Sequence, residues 1–410
     1  MSTIDSHDLN GTTLRRDSTQ ILSGKYHIYI TLALDNISFS IAPRLLFLSA
    51  TFAMAQATEQ SSSCKINLNP DTTDIKYTSY ANLVRSVQLR SGHTYRYVFK
   101  APFNSSLPTL LFLHGWPETS YSWVNQIEYF TRHGYGIIAP DMIGTGGTDN
   151  PNDLESFTFK RTASEMDELL ECEELDQVIG IGHNIGSALL SRLQHYHPNR
   201  LSALVFLTLG YSVPGADLTR DFVDATNEAT LAAFGYPLLG YWYFNERDDA
   251  AVVTDKHLDA LYNIAYGTDI TWAPNITEVG ALERWLHADG RIPFQNEFLT
   301  DTTLAQWRTI LQAQGGMDGP FKWYRAMMRG YNTADEQALK LSTSPIVTKR
   351  SLLIVGDNDP IAIPSIQLNN TVPYIPFLTV RTVPSRHFMQ ADTARDVNRH
   401  LHEFLQSLEK

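Results

Sequence analysis

Four short apolar runs, Leu110 to Leu113, Ile137 to Ala139, Val178 to Ile181 and Leu204 to Leu207, recur with helix-length segments between them, and none alternates polar with apolar residues. A strand with one wet face alternates, so these runs predict a parallel sheet covered by helices on both faces. Ahead of them, Val87 to Phe99 does alternate around Ser91-Gly92, which predicts an opening hairpin. From Ser212 to about Pro345 the pattern stops, and long helical stretches rich in Tyr and Trp predict an inserted lid. Strand-like runs resume at Ser351 to Val355 and Thr379 to Val383, and a closing helix carries Val397, Leu401, Phe404, Leu405 and Leu408 on one stripe. The expectation is an α/β chain: a mostly parallel central sheet in two parts, residues 76–211 and 346–410, split by a helical lid at 212–345. No repeat or low-complexity segment interrupts this plan.

Residues 1–75 lack sustained periodicity and are expected to be an appendage. Within it, residues 26–58 carry only Asp35 and Arg44 as charges, and Leu45 to Thr58 is apolar and ends in Ala53-Met54-Ala55. This is like a secretory h-region with a small-residue cleavage site, but lies far from the first residue, and its 14 uncharged residues fall short of the roughly 20 that span a bilayer. A flexible extension, a weak membrane-associating segment and a misassigned start are the readings it leaves open. Sequons at Asn10, Asn36, Asn104, Asn275 and Asn369 carry meaning only if the chain is secreted. Compartment stays open, with the cytoplasm slightly ahead of the secretory pathway. The formal net charge of −12 and the lack of a basic run argue against nucleic acid as a partner. Cys64 and Cys172 have no ligand spacing, so no zinc site is expected and both are read as isolated thiols.

The chemistry-bearing motifs fall at the ends of the runs. Ile181-Gly182-His183-Asn184-Ile185-Gly186-Ser187 joins a strand to a helix, and its small residues permit a tight turn that pushes residue 184 outward, as in a nucleophile elbow. Taken alone, it could be an ordinary glycine turn. His114-Gly115-Trp116-Pro117 ends an earlier strand and can aim the Trp116 amide, with that of Ile185, at an oxyanion beside the elbow. Gly356-Asp357-Asn358-Asp359-Pro360 and Ser385-Arg386-His387 follow the last two strands, so the order is elbow, acid, histidine. That order is the one used by α/β-hydrolases.

With these motifs the chain resembles the epoxide hydrolase family of the α/β-hydrolase fold over roughly residues 80 to 408. The resemblance extends into the lid, at Gly240-Tyr241-Trp242-Tyr243-Phe244-Asn245-Glu246 and Phe321-Lys322-Trp323-Tyr324-Arg325. It implies that Tyr241 and Tyr324 hydrogen-bond the epoxide oxygen, with Tyr243 as a substitute for Tyr241. It further implies that His387, oriented by Asp359 with Asp357 as fallback, activates water, and that the amides of Trp116 and Ile185 hold the oxyanion. The substrate implied is a small or medium lipophilic epoxide, opened to a vicinal diol in detoxification or secondary metabolism. No metal or organic cofactor is implied.

One residue departs from the family pattern: Asn184 stands where the nucleophilic aspartate is expected. An amide oxygen is a far weaker nucleophile than a carboxylate, and deleting the nucleophile of a comparable triad costs on the order of 10⁶ in rate. Deliberate substitution, deamidation in place, direct attack by water activated by His387, and a pocket that has lost hydrolysis are the alternatives. A haloalkane dehalogenase is disfavoured because Ile185 follows the elbow residue where that family has Trp, and an esterase because the elbow has no serine. A non-catalytic protein that binds a hydrophobic ligand is the rival from another class. Oligomeric state is not legible.

Overall fold

In the computed structural model, residues 64–266, 273–292 and 300–409 are described, and they lie in the compact unit Ser61–Lys410. The segment at 26–58, with its membrane and leader readings, lies outside them. Among the described residues no helix is long and apolar enough to cross a membrane.

Among the described residues, nine strands form one sheet in the order β1-β2-β3-β5-β4-β6-β7-β8-β9. They are β1 (Ile66–Asn67), β2 (Val84–Gln88), β3 (Thr94–Lys100), β4 (Thr109–Leu113), β5 (Gly136–Pro140), β6 (Val178–His183), β7 (Leu201–Leu207), β8 (Ser351–Gly356) and β9 (Leu378–Val383). The expected hairpin is β2–β3, closed where Gly92 adopts φ 90°. β1, β2 and β3 are antiparallel, as is the β3–β5 pair, and every pairing from β5 through β4 to β9 is parallel.

The apolar runs do not alternate because both faces of the sheet are dry. In β4, Leu111 and Leu113 enter one buried cluster while Leu110 and Phe112 enter the other, and β8 divides the same way, with Leu353 and Val355 opposed to Leu352 and Ile354. Burying each such side chain is worth roughly 1.5–3 kcal/mol. The helices α1 (Val124–Arg132), α2 (Phe159–Cys172) and α3 (Ile185–Tyr196) supply the crossovers. The expected lid interval holds α4 (Arg220–Phe234), α5 (Trp242–Asn245), α6 (Ala250–Thr254), α7 (Leu258–Tyr266), α8 (Ala281–His287), α9 (Asp301–Ala313), α10 (Asp318–Met328) and α11 (Thr333–Ser342). α12 (Pro364–Thr371), α13 (Met389–Asp392) and α14 (Ala394–Leu408) complete the chain, and α14 buries Val397, Leu401, Phe404 and Leu405 as its stripe predicts.

One sequence expectation is corrected. Cys64 and Cys172 are not isolated thiols but a disulfide, with Cα atoms 5.4 Å apart. The two are separated by 108 residues, so only the packing of α2 beside the β1–β2 edge brings them together. Strand β1 lies within the segment expected to be an appendage. A bond closing so long a loop restricts the unfolded chain strongly. Cys172→Ser is therefore expected to lower unfolding stability by about 2–4 kcal/mol, and reductant should lower the parent similarly. Equal denaturation midpoints with and without reductant would count against the bond.

Candidate active site

The elbow is built by absence of side chains. β6 ends at His183, α3 starts at Ile185, and Asn184 between them takes φ 53° and ψ −123°. This is a strained region for a residue with a Cβ, costing of order 1–3 kcal/mol. The neighbours leave no alternative: a Cβ on Gly186 would lie 2.1 Å from the carbonyl oxygen of Leu113, and one on Gly182 would lie 2.5 Å from that of Gly186. Gly115 is equally confined, since its Cβ would meet that of Asn184 at 2.4 Å. The ends of β4 and β6 and the start of α3 thus touch through backbone alone, with residue 184 at the contact.

Asn184 is buried and bonded at both ends of its amide. The Trp116 backbone N–H donates to Oδ1 at 3.3 Å, and Nδ2 lies 2.8 Å from His387 Nε2. An amide nitrogen can only donate, so Nε2 is the acceptor and the His387 proton sits on Nδ1, an assignment that follows from the bonding pattern. Nδ1–H then donates to Asp359 Oδ2 at 2.8 Å, while Asp359 Oδ1 accepts from the amides of Ile361 and Ala362 at 2.9 and 2.8 Å. Burial works to raise the Asp359 carboxyl, but His387 and those two amides overcome it and hold the group below the usual carboxylate range. Asp357, the fallback acid, is exposed and accepts from Asn358 instead. The structure joins Asn184, His387 and Asp359 in one chain of hydrogen bonds.

Two further histidines brace the site. His114 Nε2 accepts from the Met142 amide at 2.9 Å, so its Nδ1–H donates to the Gly115 carbonyl, also at 2.9 Å; burial pushes its pKa down to about 4. This neutral imidazole ties the Gly115-Trp116 turn to the end of β5, and the Trp116–Pro117 peptide there is cis. His183 donates from Nε2 to the His387 carbonyl at 2.9 Å and receives Gln390 Nε2 on Nδ1 at 3.3 Å. Burial, then the neighbouring His387, lowers it to about 3. Sequence reasoning assigned His183 and Gln390 no role; His183 meets a carbonyl 204 residues away in the chain, which leaves no local pattern.

The lid closes over Asn184 with aromatic rings. Trp116 lies with its ring centroid 6.3 Å from Tyr241 and 5.4 Å from Tyr324, and the two tyrosine rings are 6.1 Å apart. Burial raises the Tyr241 phenol to about 12, and burial together with Tyr241 lifts Tyr324 well above the ordinary phenol range, so both stay protonated and able to donate at neutral pH. Tyr324 is held through its helix: Lys322 Nζ donates to Asn150 Oδ1 and the Pro151 carbonyl at 2.9 and 2.8 Å, and Trp323 Nε1 donates to the Ile143 carbonyl at 3.1 Å. Tyr241 follows Gly240, whose amide donates to the Thr277 carbonyl at 2.8 Å. Tyr243, the substitute, instead bonds Asp224 and Asn227 away from this cluster. Tyr241, Tyr324, Trp116, Asn184 and His387 line a narrow cavity whose remaining wall is apolar: Leu261, Ala265, Ile276, Leu282, Ile361 and Phe388.

A second narrow cavity is lined by Trp116, Glu118, Met142, Ile185 and Trp323. Glu118 is fully buried, its Oε1 has no hydrogen-bond partner among the described residues, and burial raises its pKa to about 8. From the ordinary carboxylate range up to that value the folded chain keeps a proton that the unfolded chain releases, so stability falls as pH rises through this window. Glu118→Gln is expected to flatten the thermal midpoint from about pH 5 to about pH 8, where the parent declines. Parallel curves for the two would refute the protonated Glu118.

A family model described as alpha/beta hydrolase fold matches residues 108–394. An epoxide hydrolase of Neurospora crassa is 25% identical over 76% of this chain and 92% of its own length, and epoxide hydrolase A of Mycobacterium tuberculosis is 26% identical over 74% and 91%. Among solved structures, epoxide hydrolase A from Mycobacterium thermoresistibile aligns with a TM-score of 0.64 at 24% identity, covering 79% of this chain and 98% of that one. A Vigna radiata epoxide hydrolase mutant aligns at 0.62 and 21%, with the same coverages. The fold and the resemblance read from the motifs are borne out.

Proposed function

Because this chain belongs to the α/β-hydrolase fold family and has epoxide hydrolases as its relatives over three quarters of its length, we propose that it binds a lipophilic epoxide and opens it to a vicinal diol, with Asn184 limiting the rate. The observation that carries this reading is the pair of protonated phenols, Tyr241 and Tyr324, that line one otherwise apolar cavity together with Asn184 and His387. An epoxide oxygen gains charge as its ring bond breaks, and two desolvated phenols stabilise that charge far better than water does.

The neutral His387, with Nδ1–H on Asp359 and a lone pair on Nε2, is in the form that accepts a proton from water. With an aspartate at 184, the ring carbon would be attacked by a carboxylate oxygen and the ester then hydrolysed. With asparagine, two routes remain. In one, His387 takes a proton from water, and that water attacks the ring carbon directly. In the other, the same water attacks Asn184 Cγ: the new Cγ–O bond forms, charge collects on Oδ1 beside the Trp116 amide, the Cγ–N bond breaks, and His387 returns the proton to departing ammonia. Nδ2 already lies against His387 Nε2, so the leaving group is beside its proton source. The product is the aspartate that the covalent route requires.

Asn184→Asp is expected to raise diol formation from a simple epoxide such as styrene oxide by orders of magnitude. Aged parent protein should gain activity together with about one dalton in the peptide that contains residue 184. An Asn184→Asp variant no better than the parent across a panel of epoxides would instead favour the binding protein, for which the doubly bonded amide of Asn184 already speaks. In the Asn184→Asp background, replacing both Tyr241 and Tyr324 by Phe should nearly abolish single-turnover ring opening; unchanged rates would reduce the two tyrosines to packing.

A further inference from the structure

The disulfide and one sequon bear on each other, and neither is used by the active site. Thiol pairs persist as disulfides in oxidising compartments and are rare in the reducing cytosol. Cys64–Cys172 is such a pair, and it fastens the first described residues to the end of α2. A chain that meets an oxidising lumen in a eukaryotic cell also meets the machinery that glycosylates Asn-X-Ser/Thr. Of the sequons within the described residues, two are poorly presented. Asn369 stands in α12, and its Thr371 is buried with Oγ1 accepting the Tyr211 amide at 3.1 Å. Asn275 is followed by the buried Thr277.

Asn104-Ser105-Ser106 differs, since all three residues are exposed in the loop between β3 and β4. Asn104 Oδ1 accepts the Ser106 amide at 3.0 Å, and the Leu107 amide closes the turn on the Asn104 carbonyl at 2.9 Å. The loop enters β4 at Thr109, whereas the catalytic turn leaves it after Leu113, so a glycan here would sit at the end of the strand remote from the lid. Beside it, Phe103 is 93% exposed, the most exposed large apolar side chain among the described residues. A sugar ring on Asn104 would cover that face with its C–H groups. In sequence, the apolar run ending in Ala53-Met54-Ala55 precedes Cys64 closely, in the manner of a secretory leader.

We infer that this chain matures in a secretory compartment, where Cys64 and Cys172 are oxidised and Asn104 carries an N-linked glycan. In the first step two thiols lose two electrons and two protons to a disulfide-exchange oxidant of that compartment. In the second, Asn104 Nδ2 forms a bond to the anomeric carbon of a diphosphate-lipid-linked oligosaccharide, the carbon–oxygen bond to the diphosphate breaks, and the amide loses one proton.

The test is to produce the full chain in yeast and recover it from both cytosolic and secretory fractions. The expected result is a protein in the secretory fraction whose mass falls on treatment with peptide N-glycosidase F, with Asn104 converted to Asp in the released peptide. The denatured, unreduced chain should offer no thiol to an alkylating reagent, and the reduced chain two. Asn104→Gln and Ser106→Ala should each abolish the glycan at this position; the second keeps the Asn104 turn, so it decides the matter if the first variant fails to fold. A chain found only in the cytosol with both thiols free overturns the inference. A secreted chain glycosylated at Asn275 or Asn369 but bare at Asn104 overturns the site.

Discussion

The candidate active site depends on one contact in which no side chain fits. The carbonyl of Leu113 at the end of β4, the turn at Asn184 after β6 and the first turn of α3 are packed so closely that Gly115, Gly182 and Gly186 must be glycines. That contact forces Asn184 into its positive-φ conformation, lifts its side chain out of the sheet, and brings the Trp116 amide to Oδ1. The strain is sustained by the parallel strands on either side, whose side chains are buried on both faces and cannot relax without opening the core.

The lid is fastened to this platform by polar groups rather than by shape alone. Arg192 on α3 is buried against Glu336 on α11, at 2.5 Å, and also donates to the carbonyls of Ser212 and Val213 where the chain leaves the core. Buried ion pairs contribute little net stability, because desolvation offsets their attraction, but they tolerate only one arrangement. Here that arrangement sets the first and last segments of the lid against the elbow helix. Lys322 and Trp323 do the same for α10, and Tyr324 follows from them. Tyr241 and Tyr324 share a cavity wall with Asn184 because their neighbours are tied down elsewhere.

Several parts of this arrangement were legible in the residues. The four non-alternating runs and the two strand-like runs after the lid correspond to β4 through β9, and the spacing of the motifs along the chain located the elbow, acid and histidine turns, because each is a short local signal at a strand end. Choosing Asp359 over Asp357 and Tyr241 over Tyr243 needed more than that. Residues two apart in a loop or a short helix look alike in sequence, and only the direction of the backbone decides that Asp359 meets His387 while Asp357 meets solvent. His183, Gln390 and Glu118 were not assigned roles, since a buried polar side chain and an exposed one are written with the same letter.

What the sequence by itself determined is a class of structure: dry strands, covering helices, an insertion between them, and the identity of residue 184. These follow from periodicity and from chemistry carried within a few neighbouring residues. What only the tertiary structure decided is which distant groups share a proton or a bond. The tautomer of His387 depends on an amide 203 residues away in the chain, and the pairing of Cys64 with Cys172 spans 108 residues. Hydrogen bonds and disulfides require atoms within a few ångströms, and only packing reduces such separations to that range.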